Sequence, residues 1–227
     1  MSDSLHKKHK KGIKQPSSTG GTYNKKDLHI DHRNTMIIID WDDTLYPTSW
    51  TMENGIDLTD PKSRYRYLKH FENLDDHLSS ALEHMITLGD VVIITNAMPE
   101  WVELSMSVLP KTKRCIRFID IISARERYQN KAKMSEWKKY TFVEEMVRRS
   151  QAKRYTNILS LGDAEFEYNA LVNLYRLKAI PHKYLKAIKF LKTTDYEILL
   201  EQLRMIRSNI REICGMTRHM DLTFDTQ

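Results

Sequence analysis

The chain predicts an α/β fold, a three-layer doubly wound parallel sheet with helices on both faces. Two observations predict it. Four short runs, "TMIIID" (35 to 40), "VVIIT" (91 to 95), "FIDIIS" (118 to 123) and "NILSLG" (157 to 162), are rich in β-branched residues and nearly continuous in their apolar character, as strands buried on both faces are. Amphipathic stretches separate or follow them, roughly 76 to 88, 98 to 109, 134 to 150 and 164 to 174. Strand and helix in alternation build a parallel sheet, because each parallel crossover needs a long return path.

Taken in order, the first 30 residues form a tail with little apolar content. Lys7, Lys8, Lys10, Lys11, Lys14, Lys25 and Lys26 stand there against Asp3 and Asp27, so nearly all of the +6 net charge sits in the tail. Such composition predicts disorder. Its role stays open between a solubilising or tethering arm and a patch for nuclear import, nucleic acid or an acidic partner, since clustered lysines bind polyanions by counterion release. The body is almost neutral, which argues against nucleic acid as the partner of the core. Residues 31–194 read as the α/β domain and 195–227 as a C-terminal helix and tail packed on it. Gly89 reads as the C-cap of the helix over 76 to 88, and shorter runs at 177 to 180 and 188 to 191 as edge strands. Leu199, Leu203, Ile206, Ile210 and Ile213 recur by four and three, one apolar face of a last helix. Docking on the sheet and a partner-binding role are the two readings of that face.

No stretch approaches the roughly 20 apolar residues of a membrane span, and the N-terminus has no signal-peptide pattern. Cys115 and Cys214 are the only cysteines, too few for a disulfide framework or a thiolate zinc site. The expected compartment is the cytoplasm, with the nucleus as the alternative. Glycines are sparse beyond the tail, which excludes a P-loop and a dinucleotide fingerprint.

The chemistry concentrates at strand ends. Asp40 and Asp42 follow the first run, and a side-chain period of two sends them to one side while Trp41 points to the other. Two carboxylates at the carboxyl end of a central parallel strand repel each other unless a cation or a reaction requires them. The second run ends in Thr95-Asn96. The fourth ends in "LGDAEFE", where Gly162 permits a sharp exit and Asp163 and Glu167, at i and i+4, share one face of a helical turn. An oxygen-rich cluster without His or Cys suits Mg²⁺. His29, His32, His77 and His84 have no partner at a metal-binding spacing.

With "DWDDT" (40 to 44), Thr95, a lysine and "GDAEFE" (162 to 167) in this order, the chain resembles the haloacid dehalogenase superfamily of aspartate-nucleophile phosphohydrolases, from about residue 35 to 180. The resemblance implies Asp40 as nucleophile and Asp42 as general acid and base. It implies a Mg²⁺ site made of Asp40, the Asp42 main-chain carbonyl and Asp163, with Glu167 in the outer shell or acting through water. Thr95, Asn96 and a lysine would bind the phosphoryl group. Among Lys131, Lys133, Lys138 and Lys139 the favoured lysine is Lys138, since Trp137-Lys138 opens the helix before the fourth strand. Asp43 departs from the glycine commoner in that position. Neither gap between motifs holds a folded cap, which leaves a flap, "YPTSWTMENGIDL", and an open site suited to a large substrate such as a phosphoprotein. Trp50, Tyr65, Arg66 and Tyr67 either line that site or pack the flap onto the body. The competing readings are an interaction or scaffold protein that keeps the fold without the activity and, less favoured for want of a cap, a phosphomutase.

Overall fold

A computed structural model of the chain describes residues 30–177 and 183–224. The expected disordered tail and the run at 177 to 180 lie, but for Ile30 and Leu177, outside these residues. Six parallel strands form one sheet: β1 (Thr35–Ile39), β2 (Asp90–Thr95), β3 (Asp120–Ser123), β4 (Asn157–Gly162), β5 (Tyr184–Lys189) and β6 (Met220–Thr223), in the order β3-β2-β1-β4-β5-β6. Between β1 and β2 lie α1 (Thr48–Glu53), α2 (Pro61–Arg66) and α3 (Leu68–Ile86), and between β2 and β3 lie α4 (Pro99–Met106) and α5 (Pro110–Ile116). Next come α6 (Ala124–Tyr128) and α7 (Met134–Ser150), then α8 (Glu165–Arg176) after β4 and α9 (Tyr196–Gly215) after β5. The fold is α/β, as the alternation of the sequence predicts.

The unbroken apolar runs and the period of two turn out to be the same fact. In β1, Ile37 and Ile39 face a cluster with Leu78 and Leu82 of α3 and Leu203 and Ile206 of α9. Met36 and Ile38 face the opposite cluster, with Phe142 and Met146 of α7 and Ala170 and Leu174 of α8. Both faces are covered, so no polar position is needed in the strand.

Several boundaries differ from the sequence reading. The strand expected at 188 to 191 runs instead from Tyr184 to Lys189, and it is interior, because β6 pairs along its outer side. β6 itself falls in the stretch read as a tail. The run at 118 to 123 joins the sheet only from Asp120, leaving Phe118 exposed. The helix expected at 98 to 109 ends at Met106, and Pro110, which cannot continue an earlier helix but is favoured in a first turn, opens α5. Gly89 is not a left-handed cap: among the described residues Gly55 is the one glycine with positive φ. A Cβ at Gly89 would lie 2.6 Å from the Thr35 carbonyl oxygen, so the glycine is there for close backbone approach.

α9 packs on the side of α3, whereas α8 packs on the side of α7. Both connections step in the same direction along the sheet, so β4-α8-β5 and β5-α9-β6 are of opposite hand. The other crossovers agree with β4-α8-β5, the right-handed form favoured by strand twist. What keeps α9 on the disfavoured side is its apolar face, in which Leu199, Leu203, Ile206, Ile210 and Ile213 are all buried. Its last carbonyls are also satisfied from the sheet: Lys186, wholly buried, donates Nζ to Ile213 O and Cys214 O, both at 2.8 Å. Burial without an acidic partner lowers the Lys186 pKa to about 8.

Candidate active site

β1 lies between β2 and β4, the point where strand order reverses and where a crevice opens beyond the carboxyl ends of the strands. Asp40 is the first residue past β1, and its N–H still donates to Leu161 O of β4 (3.0 Å). Trp41 turns into the core, stacks on Tyr46 at 6.2 Å and donates its indole N–H to Ser105 Oγ (2.9 Å). The chain then tightens, with the Trp41 carbonyl accepting from Leu45 N and Tyr46 N. Asp43 takes φ +52°, a left-handed conformation that costs most residues energy. Its carboxylate accepts from Ser49 N (2.8 Å) and Ser49 Oγ (2.6 Å), so side-chain bonds hold here what a glycine would adopt freely.

From α7, Lys138 enters the crevice almost fully buried, 2.7 Å from Asp40 Oδ1 and ion-paired with Glu167 Oε1. Burial alone would discharge it, but Asp40 and Glu167 outweigh burial and hold the ammonium charged, above the ordinary lysine range. Asp40 Oδ1 also accepts from Trp41 N (2.8 Å). Glu167 sits in the first turn of α8, where Oε2 accepts from Ala164 N (3.2 Å) in the manner of a capping box. Gly162 makes this placement feasible, since a Cβ there would lie 2.3 Å from Glu167 Cγ. Close approach, rather than a sharp exit, is the reason for the glycine. Asp163 precedes the helix, so it meets Glu167 across the α8 cap and not along a helical face. One oxygen from each of Asp40, Asp163 and Glu167 falls within 4.8 Å of the others. Burial, followed by the charges of Asp40, Glu167 and Asp43, raises the Asp163 pKa to about 7. The side chain of Asp42 is not part of this cluster.

Asp42 instead points its Oδ1 at two donors, Thr48 Oγ1 of α1 and Trp101 Nε1 of α4 (2.9 Å). Burial raises its pKa against those hydrogen bonds, with the Asp40 charge adding to the rise. Thr95 ends β2 with its hydroxyl accepting from Ala97 N (2.9 Å), which leaves the hydroxyl proton available. Asn96 Oδ1 is buried with no hydrogen-bond partner.

Of the four candidate lysines, Lys138 alone is buried among the carboxylates. Lys131 lies over the Tyr128 ring, Lys133 is the exposed N-cap of α7, and Lys139 is half-exposed. α7 opens at Met134, so Lys138 is one turn inside it and not at its start. The sequence held a better signal: Phe142 and Met146 follow Lys138 at i+4 and i+8, placing it on the buried stripe. Trp50 packs the flap, at 5.5 Å from Tyr67 and 4.9 Å from Tyr196, while Tyr65 and Arg66 are exposed. Thr48, Ser49 and Trp101 were not singled out by sequence. A half-buried indole N–H needs an acceptor, but nothing local says which one. His29 lies outside the described residues.

No protein-family profile and no curated protein matches the chain. Among solved structures, a HAD family hydrolase from Deinococcus radiodurans R1, with bound phosphate and sodium, aligns at 12% identity and a TM-score of 0.39, over 86% of this chain and 93% of that one. The Legionella pneumophila effector Ceg4 aligns at 10% identity and a TM-score of 0.40, over 80% and 99%. Likeness this remote leaves the functional reading to the residues of this chain.

Proposed function

We propose that the protein is a Mg²⁺-dependent phosphohydrolase that works through an aspartyl-phosphate and acts on a large substrate, a phosphoprotein foremost. The observation that carries this reading is the buried grouping of Asp40, Lys138, Glu167 and Asp163 at the carboxyl ends of β1 and β4. Its donor set is all oxygen, and among the described residues the three clustered carboxylates of Asp40, Asp163 and Glu167 have one cation, Lys138, paired with them. An oxygen-seeking dication fits that surplus. Asp40 and Asp163 would hold it, with the Asp42 main-chain carbonyl, while Glu167, committed to Lys138 and Ala164 N, acts from outside. When bound, the ion would neutralise charge on the phosphoryl oxygens.

The chain's own groups then have defined tasks. Lys138 and the Thr95 hydroxyl orient the phosphoryl group and stabilise charge developing on it, and Asn96 adds a polar contact. A carboxylate oxygen of Asp40 attacks phosphorus as the bond to the leaving oxygen breaks, and Asp42 gives that oxygen its proton. Asp42 then takes a proton from a water whose oxygen attacks phosphorus, which releases phosphate and restores the Asp40 carboxylate. Burial, which raises the Asp42 pKa, favours its protonated starting state.

A large substrate is supported by what covers the site. Between β1 and α3 stand two helices of six residues each, α1 and α2. α4 and α5 fill the path from β2 to β3, and neither connection contains a separate folded cap among the described residues.

The test is hydrolysis of a generic aryl phosphate with and without Mg²⁺, comparing the native chain with Asp40→Asn. Metal-dependent turnover lost in the variant is expected. Turnover that survives in Asp40→Asn would refute the assignment of the nucleophile. None in folded native protein would favour the rival reading, a non-catalytic interaction protein.

A further inference from the structure

Beside the proposed phosphoryl site a second concavity opens along the edge of the sheet. It encloses about 180 Å³ and shares Thr95 with the site. Val102 and Met106 of α4 and Ile121 of β3 give it an apolar wall, and Glu103 and Glu126 add two exposed carboxylates. β3 is the last strand on this side, so no further strand closes the concavity. Arg127, Arg148 and Arg149 all find carboxylates elsewhere. Among the described residues neither Glu103 nor Glu126 is in an ion pair.

We propose that this cleft is a subsite for the lysine or arginine side chain of a phosphopeptide, one or two residues from the phosphorylated residue. The proposal rests on the phosphohydrolase reading and adds a sequence preference to it. An apolar wall with two unpaired carboxylates complements an amphipathic cation, whose methylenes lie on Val102, Met106 and Ile121 while its charged head reaches Glu103 and Glu126. The same carboxylates repel a phosphate, so the cleft is not a second phosphate site. Extended peptide advances roughly 3.3–3.6 Å per residue, so a neighbour of the phosphorylated residue can reach a cleft that begins at Thr95.

The test uses the full chain and a set of phosphoserine peptides in which one lysine, norleucine or glutamate is moved over the two positions on either side of the phosphoserine. Each peptide rate is divided by the same protein's rate on an aryl phosphate. At one position lysine is expected to exceed norleucine by about five-fold, the strength of one or two exposed charge pairs, with glutamate slowest. The preference should collapse in Glu103→Gln/Glu126→Gln and fade as salt rises from about 50 to about 500 mM, where the Debye length shortens. Equal rates for the three peptides at all positions, beside normal aryl phosphate turnover, would overturn the subsite and leave the phosphohydrolase standing. A lysine preference that the double variant retains would also overturn it. Loss of aryl phosphate turnover itself in the native protein would sink both.

Discussion

Replacing Lys138 by Met keeps the length of the side chain and removes its charge, leaving Asp40 and Glu167 buried without their cation. At 2.7 Å, and with an effective dielectric constant near 20, the gross attraction of Lys138 to Asp40 is about 6 kcal/mol. Much of this offsets the desolvation of the lysine, so the pair adds little net stability by itself. Removing one partner of a buried pair nevertheless costs about 3–5 kcal/mol, because the other charge stays behind. In a chain of this length that lowers Tm by roughly 6–20 °C. The loss should depend on pH. A carboxyl whose folded pKa exceeds its unfolded value is unpenalised when protonated in acid, and the folded state loses stability as pH rises through the folded value. Burial already pushes Glu167 upward with Lys138 pulling against it, so the deficit in the variant should be larger at pH 8 than at pH 5. Thermal unfolding by circular dichroism at the two pH values measures it, and added Mg²⁺ should recover part of the loss. Lys139→Met, on the half-exposed side of the same helix, is the control and should move Tm by less than about 2 °C. Glu167→Gln added to Lys138→Met should restore some stability, a coupling that a double-mutant cycle quantifies. A Tm for Lys138→Met within about 2 °C of the native value at pH 8 would refute the reasoning.

Trp101→Phe keeps the ring that meets Tyr46 edge-on and deletes the hydrogen bond to Asp42. One such bond to a charged group is about 1.5 kcal/mol or more, so kcat should fall about ten-fold through lost positioning. The basic limb of the pH–rate profile, where Asp42 gives up the proton it donates, should move up, as Asp42 loses a donor that favours its charged form. An unchanged profile would deny Trp101 a role in positioning Asp42. Gly162→Ala forces Glu167 aside and should cost about 1–3 kcal/mol, typical of overpacking, read as a lower urea midpoint. Lys186, with its pKa lowered from 10.5 to about 8, binds more protons unfolded than folded between those values. Native stability should therefore rise over that interval by up to about 3 kcal/mol relative to Lys186→Met, measured as urea midpoints at pH 7.5 and 10; parallel midpoints in the two proteins would place Lys186 in contact with water.

What local chemistry controls was legible. Residues 36–39 are apolar without interruption because both faces of β1 are covered, and that pattern survives any detail of packing. Asp40, Asp42, Thr95 and Asp163 could be singled out as candidates because they stand at the ends of strand runs, and parallel topology sends the ends of successive strands to one edge. Boundaries set by tertiary partners were not legible: β6 has only four residues, and its pairing with β5 decides it.

The sequence by itself therefore determined the strand runs, the oxygen-rich character of the site and the edge at which it lies, since each follows from periodicity and residue type within a short window. Tertiary structure decided what depends on partners distant in the chain. It gave Lys138, already the favoured lysine, its two partners by turning the buried face of α7 toward Asp40 and Glu167. It directed Trp101, 59 residues from Asp42, to the carboxylate that the loop after β1 presents. It also placed α9 on the face that makes its crossover opposite in hand to the others. A lysine, an indole or an apolar helix face satisfies its chemistry equally well with many partners, and only the packed fold leaves one within reach.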